Sequence, residues 1–470
     1  MASVPYQRLT ATDASWLYIE SSHEPQHVGS LSYLEGAPLR DASGRIAIDE
    51  LRSSALRRLH RVPVLRQRLM FVPYGLGQPI WVDDDQFDIG YHIRLTAVPR
   101  PGADDQVHEL MGQLQSLPLD RQRPLWEMWF VDGLQDDEVG LIIKSHHALG
   151  DGIATVDVAL AFVDFEPDPP EEPPAPGWEP EPAPSASRLL LDSVAGQLVS
   201  PTVLAGAALR HPAHALSTAT AAARAATSLF VRPTHAPWNV PVTTHRRWVS
   251  ATVPLGPVRR VCDQQLVTIN DVVLEACTGA LRDYLFDHDE ATDRTLRAVV
   301  PVSRRHDDEH EDTLGNKVSL IMIDLPVDED DPLQRLERIH AAADELKGSD
   351  FADGAETIMT LAGEISVLAG PLARLGTRLI KMNVVITNVP GPPVPFYLRG
   401  ARVLRAFPFV EVIDNAGLTI AVLSYDDRLF FGLTADRDVM VDLEVLAHGI
   451  ETSATRLVEA VERSGRPVRS

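Results

Sequence analysis

The sequence predicts an α/β protein built of two sheet-and-helix halves around one shared cleft, and its length, one interruption and an internal echo carry that expectation. At 470 residues the chain exceeds the about 250–300 residues at which a single hydrophobic core stops growing, so two domains of similar size are expected. From Glu166 to Pro184 it is dominated by proline and acidic residues. Such a stretch cannot pack as a helix or central strand and reads as an extended linker. Finally, a strand, polar turn, strand pattern occurs once on each side of the linker. The expected organisation is an N-terminal domain over 1–165, a connector over 166–239 and a C-terminal domain over 240–470.

In chain order, Ile48 to His60 carries apolar residues at helical spacing. Trp126 to Val131, the turn Gln135-Asp136-Asp137, and Val139 to Ser145 read as the first hairpin, followed by a helix-like segment from Ile153 to Phe165. Beyond the linker, Ser185 to Arg232 is rich in Ala, Leu and Val, with Asp192 as its only acid against Arg188, Arg210, Arg224 and Arg232. It reads either as a pair of packed helices or as an interfacial, membrane-touching segment; Pro201 and Pro212 interrupt it, and no run of about 20 apolar residues exists to cross a bilayer. In the second half, Asp271 to Leu285 repeats the early helix, and Leu296 to Val302 reads as a strand. The second hairpin follows as Leu418 to Ser424, the turn Tyr425 to Arg428, and Leu429 to Thr434, with a closing helix from Val441 to Val461.

Composition narrows the function. Apolar residues make up 44% and charged residues 23%, ordinary globular values, so disorder can occupy only a small part of the chain. A formal charge of −23 repels a phosphate backbone and argues against nucleic acid as a partner. An anionic ligand then needs a local cationic cluster, and Arg374, Arg378 and Lys381 on one helical stretch form such a run, unless they are solvated helix charge. Cys262 and Cys277 are the only cysteines, without zinc-finger spacing, so neither a disulfide scaffold nor a thiolate metal site is expected. Met1-Ala2-Ser3-Val4-Pro5-Tyr6 lacks the basic region and apolar run of a secretory signal, which points to a cytoplasmic location.

The chemistry-bearing segment is His146-His147-Ala148-Leu149-Gly150-Asp151-Gly152, at the end of the buried strand that Val139 to Ser145 forms. Successive strand side chains face opposite ways, so one histidine is expected to face the cleft and the other the interior. That opposition also argues against a metal held by His146, His147 and Asp151. Imidazole, with an ordinary pKa of about 6.5, can take a proton near neutral pH and return it. Asp151 either fixes the turn through backbone bonds or pairs with an arginine. A structural histidine pair is the plainer alternative for the motif as a whole.

His-His-x-x-x-Asp-Gly resembles the signature of the chloramphenicol acetyltransferase-like, coenzyme A-dependent acyltransferases, and the flanking segments resemble one branch, the bacterial wax ester synthase/acyl-CoA:diacylglycerol acyltransferase family. The matching pieces are Leu9 to Asp13, His27-Val28-Gly29, Pro124-Leu125-Trp126, Asn270-Asp271, Pro301 to Arg304, Gly315-Asn316 and Thr387 to Pro392, in family order. The resemblance implies two chloramphenicol acetyltransferase-like domains with mixed sheets and a shared active-site cleft. It implies acyl-CoA as co-substrate without a permanently bound cofactor, and diacylglycerol or a long-chain alcohol as acceptor at a membrane surface or lipid droplet. It makes His147 the general base, with Asp151 and Gly152 shaping its loop and His146 in support. Arg304, which follows the strand-like Leu296 to Val302, is the candidate ion-pair partner of Asp151, with simple surface exposure as the alternative. Pro124, Leu125, Trp126, Asn270 and Asp271 match motifs for substrate or oxyanion positioning, although Asn270 also reads as an ordinary helix N-cap. A carrier-protein-dependent acyltransferase and a non-catalytic lipid-droplet protein are the rival expectations.

Overall fold

A computed structural model describes residues 6–149, 162–169, 177–194, 234–303, 318–347 and 382–464. Two six-stranded mixed sheets dominate it. The first runs β12-β13-β2-β7-β6-β5, formed by Tyr397–Leu398 (β12), Ala401–Val410 (β13), His27–Glu35 (β2), Glu138–His146 (β7), Trp126–Asp132 (β6) and Ile93–Ala97 (β5). Only β5 and β6 pair parallel in it. The second runs β10-β9-β11-β14-β15-β8, formed by Val318–Leu325 (β10), Leu296–Ser303 (β9), Val384–Pro390 (β11), Leu418–Tyr425 (β14), Arg428–Asp436 (β15) and Arg246–Pro254 (β8). In it β11 pairs parallel with both neighbours. Both expected hairpins are present, as β6–β7 and β14–β15.

The sheets do not divide at the linker. β12 and β13 come from the second half of the chain yet pair into the first sheet, β13 lying antiparallel to β2 from Val403↔Leu34 to Val410↔Val28. A backbone-to-backbone approach supports this crossing, because a Cβ on Gly432 in β15 would lie 1.8 Å from the Pro408 carbonyl oxygen in β13. A third, small sheet of Gln7–Arg8 (β1), Ile80–Asp83 (β4) and Gln67–Met70 (β3) was not foreseen, since its strands are too short to show a period.

Helices cover the sheets according to their apolar faces. Ala11–Ile19 (α1), Ile48–Arg58 (α2), the single turn Ile89–His92 (α3) and Asp104–Ser116 (α4) belong to the first half. Leu255–Gln265 (α5), Ile269–Asp287 (α6), Pro332–Lys347 (α7) and Leu443–Ser464 (α8) belong to the second. In α8 the buried residues Leu446, Ile450, Ala454, Leu457 and Val461 form one helical stripe. It packs on α6, which is buried along nearly its whole circumference from Asp271 to Leu281. α4 reaches across the halves: a Cβ on Gly112 would stand 2.7 Å from the Arg246 carbonyl in β8.

Two sequence expectations need correction. The start of α6 is capped by Thr268, not Asn270: Thr268 Oγ1 accepts the Asp271 N–H at 3.2 Å while Asp271 Oδ2 accepts the Thr268 N–H at 2.9 Å. That reciprocal cap starts the helix two residues earlier than the apolar period indicated. The helix expected to end at Phe165 does not include its last residues, because Asp164 exchanges backbone bonds of 2.7 Å with Tyr397 and its carboxylate takes the Arg58 guanidinium at 2.7 and 2.9 Å. Ile153 to Ala161 lies outside the described residues. Most of Ser185 to Arg232 does too; residues 186–194 are helical, with Leu189 buried against Val72, Ile80 and Val82.

Candidate active site

The segment that carries His147 is held through three successive backbone N–H groups. β7 ends at His146, whose N–H donates to the Leu125 carbonyl at 3.0 Å. The next residue leaves the strand for a turn of 3-10 helix, His147–Leu149, and the His147 N–H donates to the Gln26 carbonyl at 3.0 Å. The Ala148 N–H then donates to His146 Nδ1 at 2.9 Å. The two histidines therefore separate by a change of backbone conformation as well as by strand alternation. His146 turns inward and is 1% exposed, whereas His147 stays half-buried.

Trp16 of α1 lies flat on the His147 ring, the centroids 4.3 Å apart and the planes at 16°. Desolvation first, and proximity to His146 second, lower the His147 pKa to about 3. The imidazole is thus neutral across the physiological range and has a free lone pair to accept a proton. Behind it, His146 Nδ1 accepts a hydrogen bond and so leaves the ring proton on Nε2, which stands 3.4 Å from Glu20 Oε1. Burial works to raise the Glu20 carboxyl, but His146 and Arg121 outweigh it and hold it below the usual carboxylate range. His27, opposite His146 in the β2–β7 register, is buried and neutral because desolvation and the Lys144 charge both lower its pKa.

The remaining motif residues fall into two groups. Pro124, Leu125 and Trp126 are buried; Trp126 Nε1 donates to the Leu65 carbonyl at 2.8 Å and its own carbonyl accepts from His92 Nδ1 at 2.7 Å. Their visible link to the histidines is the Leu125 carbonyl under His146. Asn270 is half-buried at the second helical position of α6. Asp271, besides its cap, stands 2.9 Å from His340 Nδ1. Leu9 to Asp13 is a cap as well, Thr10 Oγ1 accepting the Asp13 N–H at 3.1 Å. Asp151, Gly152, Arg304, the Gly315-Asn316 pair and the run Arg374, Arg378 and Lys381 lie outside the described residues. Among the described residues, no group of three or more His, Cys, Asp or Glu side chains could hold a metal ion.

Sequence reading missed Trp16, Glu20, Gln26 and Arg121. A signal for the first two was present, since Trp16 and Glu20 are four apart, the spacing that puts two side chains on one helical face.

Two mixed sheets, the first completed by two strands from the second half of the chain, carry a half-buried histidine at the end of a central strand, and the matching family is one of O-acyltransferases. The chain belongs to the wax ester synthase/diacylglycerol acyltransferase family. The family's catalytic-domain model matches residues 9–273 and its C-terminal-domain model residues 314–457. A probable diacylglycerol O-acyltransferase of Mycobacterium tuberculosis is 35% identical over 97% of this chain and 96% of its own length. A second one from that organism is 32% identical over 96% and 98%. Among solved structures, the wax ester synthase/diacylglycerol acyltransferase of Marinobacter aquaeolei VT8 superposes with a TM-score of 0.68 at 27% identity, over 97% of this chain and 99% of that one. The starter condensation domain of rhizomide synthetase shares the fold at 13% identity, with a TM-score of 0.56 over 98% and 96%.

Proposed function

We propose that His147 is the general base of an acyl transfer from coenzyme A to the hydroxyl of a diacylglycerol or a long-chain alcohol, giving triacylglycerol or wax ester. The observation that carries this reading is an imidazole at a strand end, fixed through its backbone and stacked on Trp16; its lowered pKa leaves it unprotonated. An alcohol is a poor nucleophile until a base takes its proton. His147 removes that proton as the oxygen attacks the thioester carbonyl. The tetrahedral oxyanion then collapses, the carbon–sulfur bond breaks, and the imidazolium returns its proton to the departing thiolate. A thiol of ordinary pKa about 8.5 leaves readily, so no covalent enzyme intermediate is needed.

In this reading Asp151 and Gly152 shape the turn after His147, Arg304 pairs with Asp151, and His146 anchors the turn from within. Asn270, exposed in part at the first turn of α6, offers an amide to the reacting oxygen. The acceptor class is supported by the names of the relatives at 35% and 32% identity; the condensation-domain likeness is one of fold and carries no substrate. Such acceptors reside in membranes or lipid droplets. Peripheral association through Ser185 to Arg232 therefore belongs to the same proposal.

The deciding experiment follows free coenzyme A released from palmitoyl-CoA with diacylglycerol or hexadecanol present. Acceptor-dependent release is expected from the wild type and its loss by about 10²-fold or more from His147→Ala, the upper part of the range for a positioned base. Equal release from both proteins would remove His147 as the base.

A further inference from the structure

We propose that Glu20 is a positioning residue for the acyl transfer, its carboxylate holding the His147 turn by two routes at once. The inference rests on His147 as the base. In the first route Glu20 Oε1 accepts the Gln26 N–H at 3.3 Å, and the Gln26 carbonyl in turn accepts the His147 N–H at 3.0 Å. In the second, the same oxygen faces His146 Nε2 at 3.4 Å, and His146 Nδ1 accepts the Ala148 N–H at 2.9 Å. Two successive N–H groups of the turn thus end on groups that one oxygen reaches, the first through a hydrogen bond and the second through a 3.4 Å electrostatic contact.

The carboxylate divides its work between its oxygens. Oε2 takes Arg121, from Nε at 2.8 Å and from Nη2, and the same Nη2 donates to the Leu17 carbonyl at 2.9 Å. A carboxylate needed only to pair with Arg121 at the end of α1 could leave Oε1 to water, whereas the Glu20 side chain is 7% exposed and Oε1 is turned to the histidines. The helix that ends at Glu20 also supplies Trp16, so α1 fixes both the ring and the backbone of His147.

Glu20→Gln keeps the size of the side chain. Its amide nitrogen must oppose either the Arg121 donors or the Gln26 N–H and His146 Nε2–H. With acyl-CoA and diacylglycerol as substrates, the expected result is a kcat lower by about 10- to 100-fold, the scale of a small misplacement of a catalytic group, with KM within about twofold because ground-state binding is untouched. In a His146→Ala background the same substitution should cost less than the product of the two single losses, as coupled residues do. A folded Glu20→Gln enzyme with kcat within about twofold of wild type would overturn the proposal, as would losses that multiply in full. Should Glu20→Gln not fold, Arg121→Lys tests the same route: it trades a two-nitrogen grip on Oε2 for a point charge and should lower kcat at unchanged KM, an unchanged kcat counting against the proposal. Failure here with His147→Ala still inactive would leave the base assignment standing; activity retained in His147→Ala would remove both.

Discussion

At the residue scale, His147 is an imidazole that the protein keeps unprotonated, as the proposed role of base requires. Its ring gains a stacking partner in Trp16 and loses water, and both effects are available only in the folded chain. The pKa of about 3 fixes a sign. In the free enzyme the active, neutral form persists as pH falls, so kcat/KM should stay within about twofold from pH 8 to pH 5.5, where a free imidazole would be mostly protonated. A fall of kcat/KM centred near 6.5 would contradict this. Folding is linked to the same proton: the unfolded chain binds it below about 6.5 and the folded chain only near 3, so the stability from this residue, complete above 6.5, declines as pH drops through that window. The assay should therefore be read only where circular dichroism shows the native fold.

At the scale of elements, β2 and β7 set the position of the histidines, and Gly29 sets the distance between these strands and their cover. A Cβ there would lie 2.2 Å from the Ile143 carbonyl oxygen and 2.8 Å from Gln115 Nε2, and neither backbone nor a buried glutamine can retreat without moving β7. Gly29→Ala is expected to destabilise by about 1–3 kcal/mol, the cost of overpacking a filled interior, read as a lower urea midpoint. An unchanged midpoint would mean that the strands adjust. Motif segments that resemble family signatures prove on this scale to be helix starts: Thr10 with Asp13, and Thr268 with Asp271, make the same side-chain-to-backbone cap. Such a cap fixes where a helix begins and therefore where its first turn points, which is how Asn270 comes to sit at the second position of α6.

For the whole molecule, the joint between the halves is polar and buried. Arg246 of β8 has a side-chain exposure of 0% and pairs with Glu411 just beyond β13, exposure 3%. It also donates to the His23 carbonyl, which precedes β2, and to the Thr243 carbonyl at 2.6 Å. One guanidinium thus ties the second sheet to the entrance of the first. Arg246→Ala leaves Glu411 buried without its cation and is expected to cost about 3–5 kcal/mol in equilibrium denaturation, and a loss under 1 kcal/mol would show that water reaches the carboxylate. Leu191 is 70% and Val194 40% exposed beside the buried Leu189, and among the described residues no helix is long and apolar enough to cross a membrane. If this face meets lipid, Leu191→Glu with Val194→Glu should weaken binding to diacylglycerol-containing vesicles by about 100-fold or more in co-flotation, since two apolar side chains buried contribute about 3–6 kcal/mol together. Undiminished flotation would exclude these two residues from the contact.

The sequence by itself determined the class of fold, the two hairpins and the helices that follow a strong period, because strand alternation and helical spacing are local patterns that neighbouring residues write together. It also determined the histidine motif, since two adjacent histidines after a buried apolar run are visible without any partner. Tertiary structure alone decided that β12 and β13 cross into the first sheet, because strand pairing depends on long-range register and no local signal separates Ala401 to Val410 from a strand of its own half. It alone decided the surroundings of His147 as well. Trp16, Glu20 and Arg121 precede it by 131, 127 and 26 positions, and what brings them together is the packing of α1 against the end of β7. A pKa set by desolvation belongs to that packing and cannot be read from composition.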